Sequence, residues 1–219
     1  MSFDRIDWVQ IGHAALDTLA MLGGALFFTV LFGLPLGVIL FLTGRGQFLQ
    51  QGVIYGALSF VLNILRSVPF IILLIVLMPV TTVLTGTSLG VRGVIPPLVV
   101  GTTAFFARLV ETALREVDRG VIDASRAMGG TVGQIVFRAL LPEALPGIIA
   151  GITVTAIVLV DYTAMSGAIG GGGIGDLAIR YGYQRFQTEV MVVTVILLIV
   201  LVQLLQAAGN RLVLHFSRK

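Results

Sequence analysis

Five runs of roughly twenty or more mostly apolar residues leave this chain very little choice of fold. A helix crosses about 30 Å of hydrocarbon with about 20 residues at 1.5 Å each, and it satisfies its own backbone while doing so. The runs extend from about Ala14 to Leu42, Tyr55 to Val83, Ile95 to Glu116, Leu145 to Met165 and Val190 to Val213. They lack the period-two alternation that a membrane barrel requires. Charged residues make up only 11% of the 219 residues, against roughly a quarter in a soluble domain. The expected fold class is therefore all-α: a polytopic membrane protein, a five-transmembrane-helix bundle forming a single domain over residues 1–219, with no linker, low-complexity tract or evident repeat.

The one long polar insert lies between the third and fourth runs, at residues 118–142. If this loop is cytoplasmic, Arg45, Arg115, Arg119, Arg126, Arg138, Arg211, Arg218 and Lys219 fall inside and Arg5, Arg92, Arg180 and Arg185 outside. That bias predicts an outer N-terminus and an inner C-terminus. The same explanation covers the net charge of +3, so no nucleic-acid partner is implied. The acidic Asp4, Asp7 and Asp17 ahead of or within the first run do not suit a cleaved signal peptide. Five helices are too few to enclose a path for a polar solute, so a homodimer with the path on its two-fold axis is expected. Gly33 and Gly37 form a GxxxG pair that would suit a dimer face, or, with Pro35 between them, a kink.

Within the polar loop, Asp118 and Thr131 are each placed to cap a short helix, Thr131 with Gln134 as a capping box, and Gly129-Gly130 separates the two pieces. Val132, Ile135, Val136, Ala139 and Leu140 share one helical face of the second piece, and Val121, Ala124 and Met128 one face of the first. Small residues at Ala124, Ser125, Ala127 and Gly129 allow close approach by a partner.

Here the chain resembles the permeases of bacterial binding-protein-dependent ABC importers, whose cytoplasmic loop reads Glu-Ala-Ala, three residues, Gly, nine residues, Ile, one residue, Leu-Pro. The matching positions are Asp123-Ala124-Ser125, Gly129, Ala139 and Leu141-Pro142, with Asp for Glu, Ser for the second Ala and Ala for Ile. The resemblance implies a type I importer permease fold whose coupling helix pair seats in a separate ATP-hydrolysing subunit. On it, Asp123, Ala124, Ser125, Ala127, Met128, Gly129, Gly130, Leu141 and Pro142 are the coupling residues. Beyond the loop, the runs Arg66 to Ile71, Asp123 to Gly129, Leu141 to Gly147 and Tyr181-Gly182-Tyr183 are similar to the membrane subunit of the bacterial methionine importer. That likeness implies a homodimer in the inner membrane, two cytoplasmic ATPase subunits that hold ATP and Mg, and an external methionine-binding lipoprotein. It also makes the fourth span, with Met165, a candidate for the pathway constriction. Asp161 stands where that family commonly has glycine, which bears on pathway polarity and substrate range.

Two groups of residues carry polarity into the spans. Arg66 falls well inside the second run, where an unpaired cation costs several kcal/mol. Glu111 is its expected partner, in an ion pair fixing helix register; alternatively the start of this run, to Ile64, is a surface helix and Arg66 lies at the interface. Near the outer end of the fourth run, Asp161, Tyr162, Met165 and Ser166 are the candidates for pathway or gate. An acid beside a tyrosine and hydroxyls suits an ammonium group, or is capped locally, and Met165 is either plug or packing.

Chemistry within the chain itself is not expected. Glycines at 167, 170 to 173 and 175 make no phosphate loop, because the sole lysine is Lys219, so they serve as a mobile outer connection or a close packing surface. His13 and His215 lie at opposite ends, cysteine is absent, and no HExxH or GxSxG occurs, so no enzyme, resident cofactor or metal site is expected. The remaining alternatives are a permease for another amino acid or an osmoprotectant, and, from a different class, an ion-coupled secondary transporter or a channel. Against the latter, inverted repeats and multiple intramembrane acids are not evident.

Overall fold

The computed structural model describes residues 7–217. Asp4, Arg5, Arg218 and Lys219, used above in reading orientation and the N-terminus, lie outside them. Among the described residues every regular element is helical. The first, α1 (Trp8–Thr43), starts on Asp7, whose carboxylate accepts from the Val9 and Gln10 amides at 3.1 and 3.0 Å. It runs unbroken through Pro35 and ends at Gly44.

The second run is not one straight span. It forms α2 (Gly52–Ser67) and α3 (Phe70–Thr85), whose axes turn by 108°. Pro69 is the physical reason: its ring pushes Val68 out of the helical region, to ψ 124°, and its missing N–H interrupts the ladder. Next come α4 (Gly90–Arg115), the short α5 (Arg119–Ala127) and α6 (Val132–Ile135), and α7 (Leu141–Ser166). A wide π turn, Val136–Leu140, fuses α6 to α7, so the helical rod runs from Val132 to Ile169. Beyond it, α8 (Gly173–Leu177) continues through a second π turn before α9 (Thr188–Phe216). Four helices of the described residues are long and apolar enough to span, and the bent α2–α3 pair makes a fifth crossing if counted as one.

The core is built on α1 against α4. A side chain on Gly37 would place its Cβ 2.5 Å from the Cβ of Val110, and one on Gly33 would lie 2.7 Å from the ring of Phe106. The GxxxG pair is thus covered within the chain by α4, which removes it as a dimer face. Thr29 and Thr102 join the same two helices by a buried hydrogen bond of 2.7 Å. Outward from α4, α7 approaches Ala113 and Leu109 through Gly147 and Gly151, and α9 approaches Thr153 of α7 through Gly209.

The outer glycines pack rather than swing freely. Gly167 at the end of α7 and Gly175 in α8 meet backbone to backbone: a Cβ on Gly175 would overlap the Cα of Ala164, and one on Gly167 would overlap the amide nitrogen of Asp176. Since backbone cannot yield as a flexible side chain does, Gly175→Ala is expected to destabilise the outer end by about 1–3 kcal/mol. The check is a lower thermal midpoint in detergent. Gly56→Ala is the neutral control, because a methyl added there would meet nothing within 4 Å.

Candidate functional site

The polar loop forms helix, hinge and helix. Asp118 caps α5, accepting from the Gly120 amide at 2.6 Å. At its other end Gly129 donates to the Arg126 carbonyl at 2.9 Å and Gly130 to that of Ser125 at 3.1 Å, a Schellman arrangement with Gly129 at φ 78°. Thr131 and Gln134 then close a reciprocal capping box at the start of α6. The second face is the buried one: Ile135, Val136 and Leu140 enter the core with Val132 and Ala139 against them. On α5 the core residue is Ile122, and Ala124 and Met128 turn outward with Asp123 and Ala127.

Exposure singles out two large apolar side chains of this loop, Met128 at 81% and Phe137 at 73%. They flank the hinge and the π turn, beside exposed Pro142 and half-buried Leu141. The π turn itself follows from Pro142, whose ring crowds the carbonyl four residues earlier; the wider turn makes room, and Leu141 donates to Val136 instead. Arg126 lies 4.0 Å above the ring of Phe48, tying α5 to the connection between α1 and α2.

Glu111 is paired, but not with Arg66. It accepts from Arg108 at 2.8 Å and from Arg115 at 2.7 Å, both on its own helix, and from the Tyr55 hydroxyl at 3.2 Å. Arg108 also reaches the Asn63 side chain at 3.2 Å. These contacts run α2 antiparallel to α4, and in that register Arg66 sits over Phe105, 5.9 Å from the ring centroid. Six residues separate Phe105 from Glu111, which is about 9 Å along a helix and too far for an ion pair. The partners missed from sequence, Arg108 and Arg115, carried a readable signal: they stand three before and four after Glu111, the spacing of helical ion pairs.

The four outer candidates on α7 separate. Asp161 and Met165 are exposed and continue a stripe with Ala150, Val154 and Ala168 that runs along one face of the helix. Tyr162 faces sideways, stacked on Phe70 at 4.0 Å with the rings 6° apart. Ser166 is fully buried and donates to the Thr163 carbonyl at 2.7 Å, so its hydroxyl is engaged within the helix and does not line an open face. A cavity of about 170 Å³ opens at the α2–α3 break between Arg66, Phe70, Phe105 and Tyr162. Arg66 is exposed at the end of α2, just before the bend, and lines this cavity together with Tyr162. Among the described residues no three acids, histidines or cysteines gather as a metal site.

Residues 33–219 match the family model described as binding-protein-dependent transport system inner membrane component. The chain is 45% identical to a probable D-methionine transport system permease protein of Vibrio cholerae, over 97% of each chain. It is 43% identical to the methionine import system permease protein of Bacillus subtilis, covering 95% of this chain and 94% of that one. Its fold superimposes with a TM-score of 0.96, at 46% identity and full coverage of both chains, on a chain from the inward-facing MetNI methionine ABC transporter.

Proposed function

The chain belongs to the family of binding-protein-dependent transport system inner membrane components, and from that premise we propose that it is the membrane-spanning permease of an ATP-driven importer of methionine. The observation that carries the reading is the end-to-end likeness to methionine permeases, in sequence and in fold. The working unit is a homodimer in the bacterial inner membrane, N-terminus outside and C-terminus inside, with two ATPase subunits below and a methionine-binding lipoprotein above. ATP and Mg belong to the ATPase subunits, and this chain catalyses nothing itself.

Mechanically, ATP binding closes the two ATPase halves, and each half holds the coupling pair of one permease chain. Asp123, Ala124, Ser125, Ala127, Met128, Gly129 and Gly130, with Leu141 and Pro142, are the residues that seat in the ATPase. Displacement of α6 passes through the π turn into α7 and moves the stripe holding Asp161 and Met165, so the cavity alternates between inward and outward access. Met165, extended and polarisable, closes the path; Asp161 lends it a negative point for the substrate's ammonium.

Exposed Met128 and Phe137 supply the apolar contacts to the ATPase. Burying such a side chain contributes about 1.5–3 kcal/mol, so changing both to serine is expected to weaken ATPase association by at least about tenfold. Co-purification in detergent measures it, and an undiminished complex would remove these two side chains from the interface.

The test of the whole reading is labelled-methionine uptake into proteoliposomes holding this chain with its ATPase and binding protein. ATP-dependent accumulation is expected. ATP hydrolysis stimulated by the binding protein without methionine entry would leave an importer of another solute, such as a different amino acid or an osmoprotectant. Accumulation driven by an ion gradient without ATP would overturn the class.

A further inference from the structure

Among the described residues Arg66 is a cation without a counter-charge: its guanidinium has neither a carboxylate within ion-pair distance nor a hydrogen bond, and its contact is the ring of Phe105. Glu111, the buried acid nearest in the α2–α4 register, is already saturated by Arg108, Arg115 and Tyr55. Arg66 is exposed at the end of α2, beside the α2–α3 break, so its guanidinium is open to water or to a ligand and is not walled in by protein. It borders a cavity of about 170 Å³, far more than the roughly 10–15 Å³ that a single water needs. Phe70 and Tyr162, whose rings stack on one another, line the same cavity, and Tyr162 is followed around α7 by the open stripe of Asp161 and Met165.

We propose that this cavity is a waypoint on the transport route, taking the carboxylate of a zwitterionic amino acid on Arg66 and its apolar side chain against Phe70, Tyr162 and Phe105. The proposal rests on the methionine-importer reading above. A guanidinium forks onto a carboxylate through two parallel hydrogen bonds, and the aromatic walls receive a thioether through polarisable contacts. One such site, open to the path on one side, holds substrate weakly enough to release it, as conduction through a pathway requires.

The chain has no cysteine, so one introduced at the cavity is a unique reporter on it. In the assembled importer, Val68→Cys is modified with an anionic thiosulfonate reagent in the presence of methionine or of methionine amide, which lacks the carboxylate; Leu65→Cys is the second reporter should the first not assemble. Methionine is expected to protect at a concentration at least about tenfold below that at which the amide does, the worth of one charge-assisted hydrogen bond. Adding Arg66→Gln is expected to abolish the difference between the two. Equal protection by methionine and its amide, or protection that survives Arg66→Gln, overturns the carboxylate site. Uptake of methionine by the unmodified importer with no protection at either reporter overturns it too and leaves the transport reading standing. Absence of methionine uptake overturns that reading, and the pocket's assignment to this substrate with it.

Discussion

Gly129→Val disconnects ATP hydrolysis from uptake. Gly129 sits at φ 78°, in the left-handed region, and its amide and that of Gly130 close the end of α5 on Arg126 and Ser125. A β-branched residue there incurs at least about 1–2 kcal/mol of backbone strain and either gives up the Schellman bonds or turns α6 away from α5. A penalty near 2 kcal/mol shifts the loop by roughly thirtyfold away from the geometry that fits the ATPase cleft. Uptake is therefore expected to fall at least about tenfold with the chain still in the membrane, and the binding protein no longer stimulates hydrolysis. Gly129→Asn, which tolerates a positive φ, is expected to retain most of the transport. Full uptake by the valine variant would mean that the hinge angle plays no part in coupling.

Glu111→Ala is the larger blow to the fold. Glu111 is buried, and its carboxylate holds Arg108, Arg115 and the Tyr55 hydroxyl together where α2 lies on α4. Removing one member of a buried ionic cluster leaves the others uncompensated, at a cost of about 3–5 kcal/mol; because Arg115 is half in contact with water, the lower end of that range applies. The expected outcome is a chain that purifies poorly and melts well below the parent, because two like charges now stand close together on one helix face. Glu111→Gln keeps an acceptor and is expected to recover part of the loss. Since the network pins α2 while leaving Arg66 at its far end untouched, an unchanged melting temperature in Glu111→Ala would show that α2 is held by apolar contacts alone.

How much of the fold and the site is legible in the sequence depends on the range of the interaction. The spans, both helix caps of the polar loop and the buried face of α6 follow from local rules: hydrocarbon thickness, Thr131 three residues before Gln134, and a repeat of three and four. The bend of the second span is also written locally, in Val68-Pro69, but apolar composition on both sides masks the break. An Arg66–Glu111 pair presumes a straight second helix, whereas the antiparallel register of α2 on α4 sets Arg66 against Phe105. A hydroxyl at the end of a span, such as that of Ser166, is ambiguous in sequence, and only the carbonyl of Thr163 at 2.7 Å decides its use. The glycines after Ser166 read equally as slack or as tight packing; the contacts that choose between them run from Ala164, against Gly175, to Val94 on α4 and Thr18 on α1, and lie outside any local pattern.

The π turn at Val136–Leu140 also sets a phase. A wide turn takes up one residue more than the α-helix would, and each residue rotates a helix by about 100°. Which side of α7 carries Asp161 and Met165 is thus fixed, relative to the face of α6 buried in the core, by that one extra residue. Straightening the turn would leave both side chains at nearly the same depth along the membrane normal but swing them about a quarter turn around the rod. The far end of α7 is in this sense aligned from the polar loop, by the angular offset that the turn before Pro142 imposes.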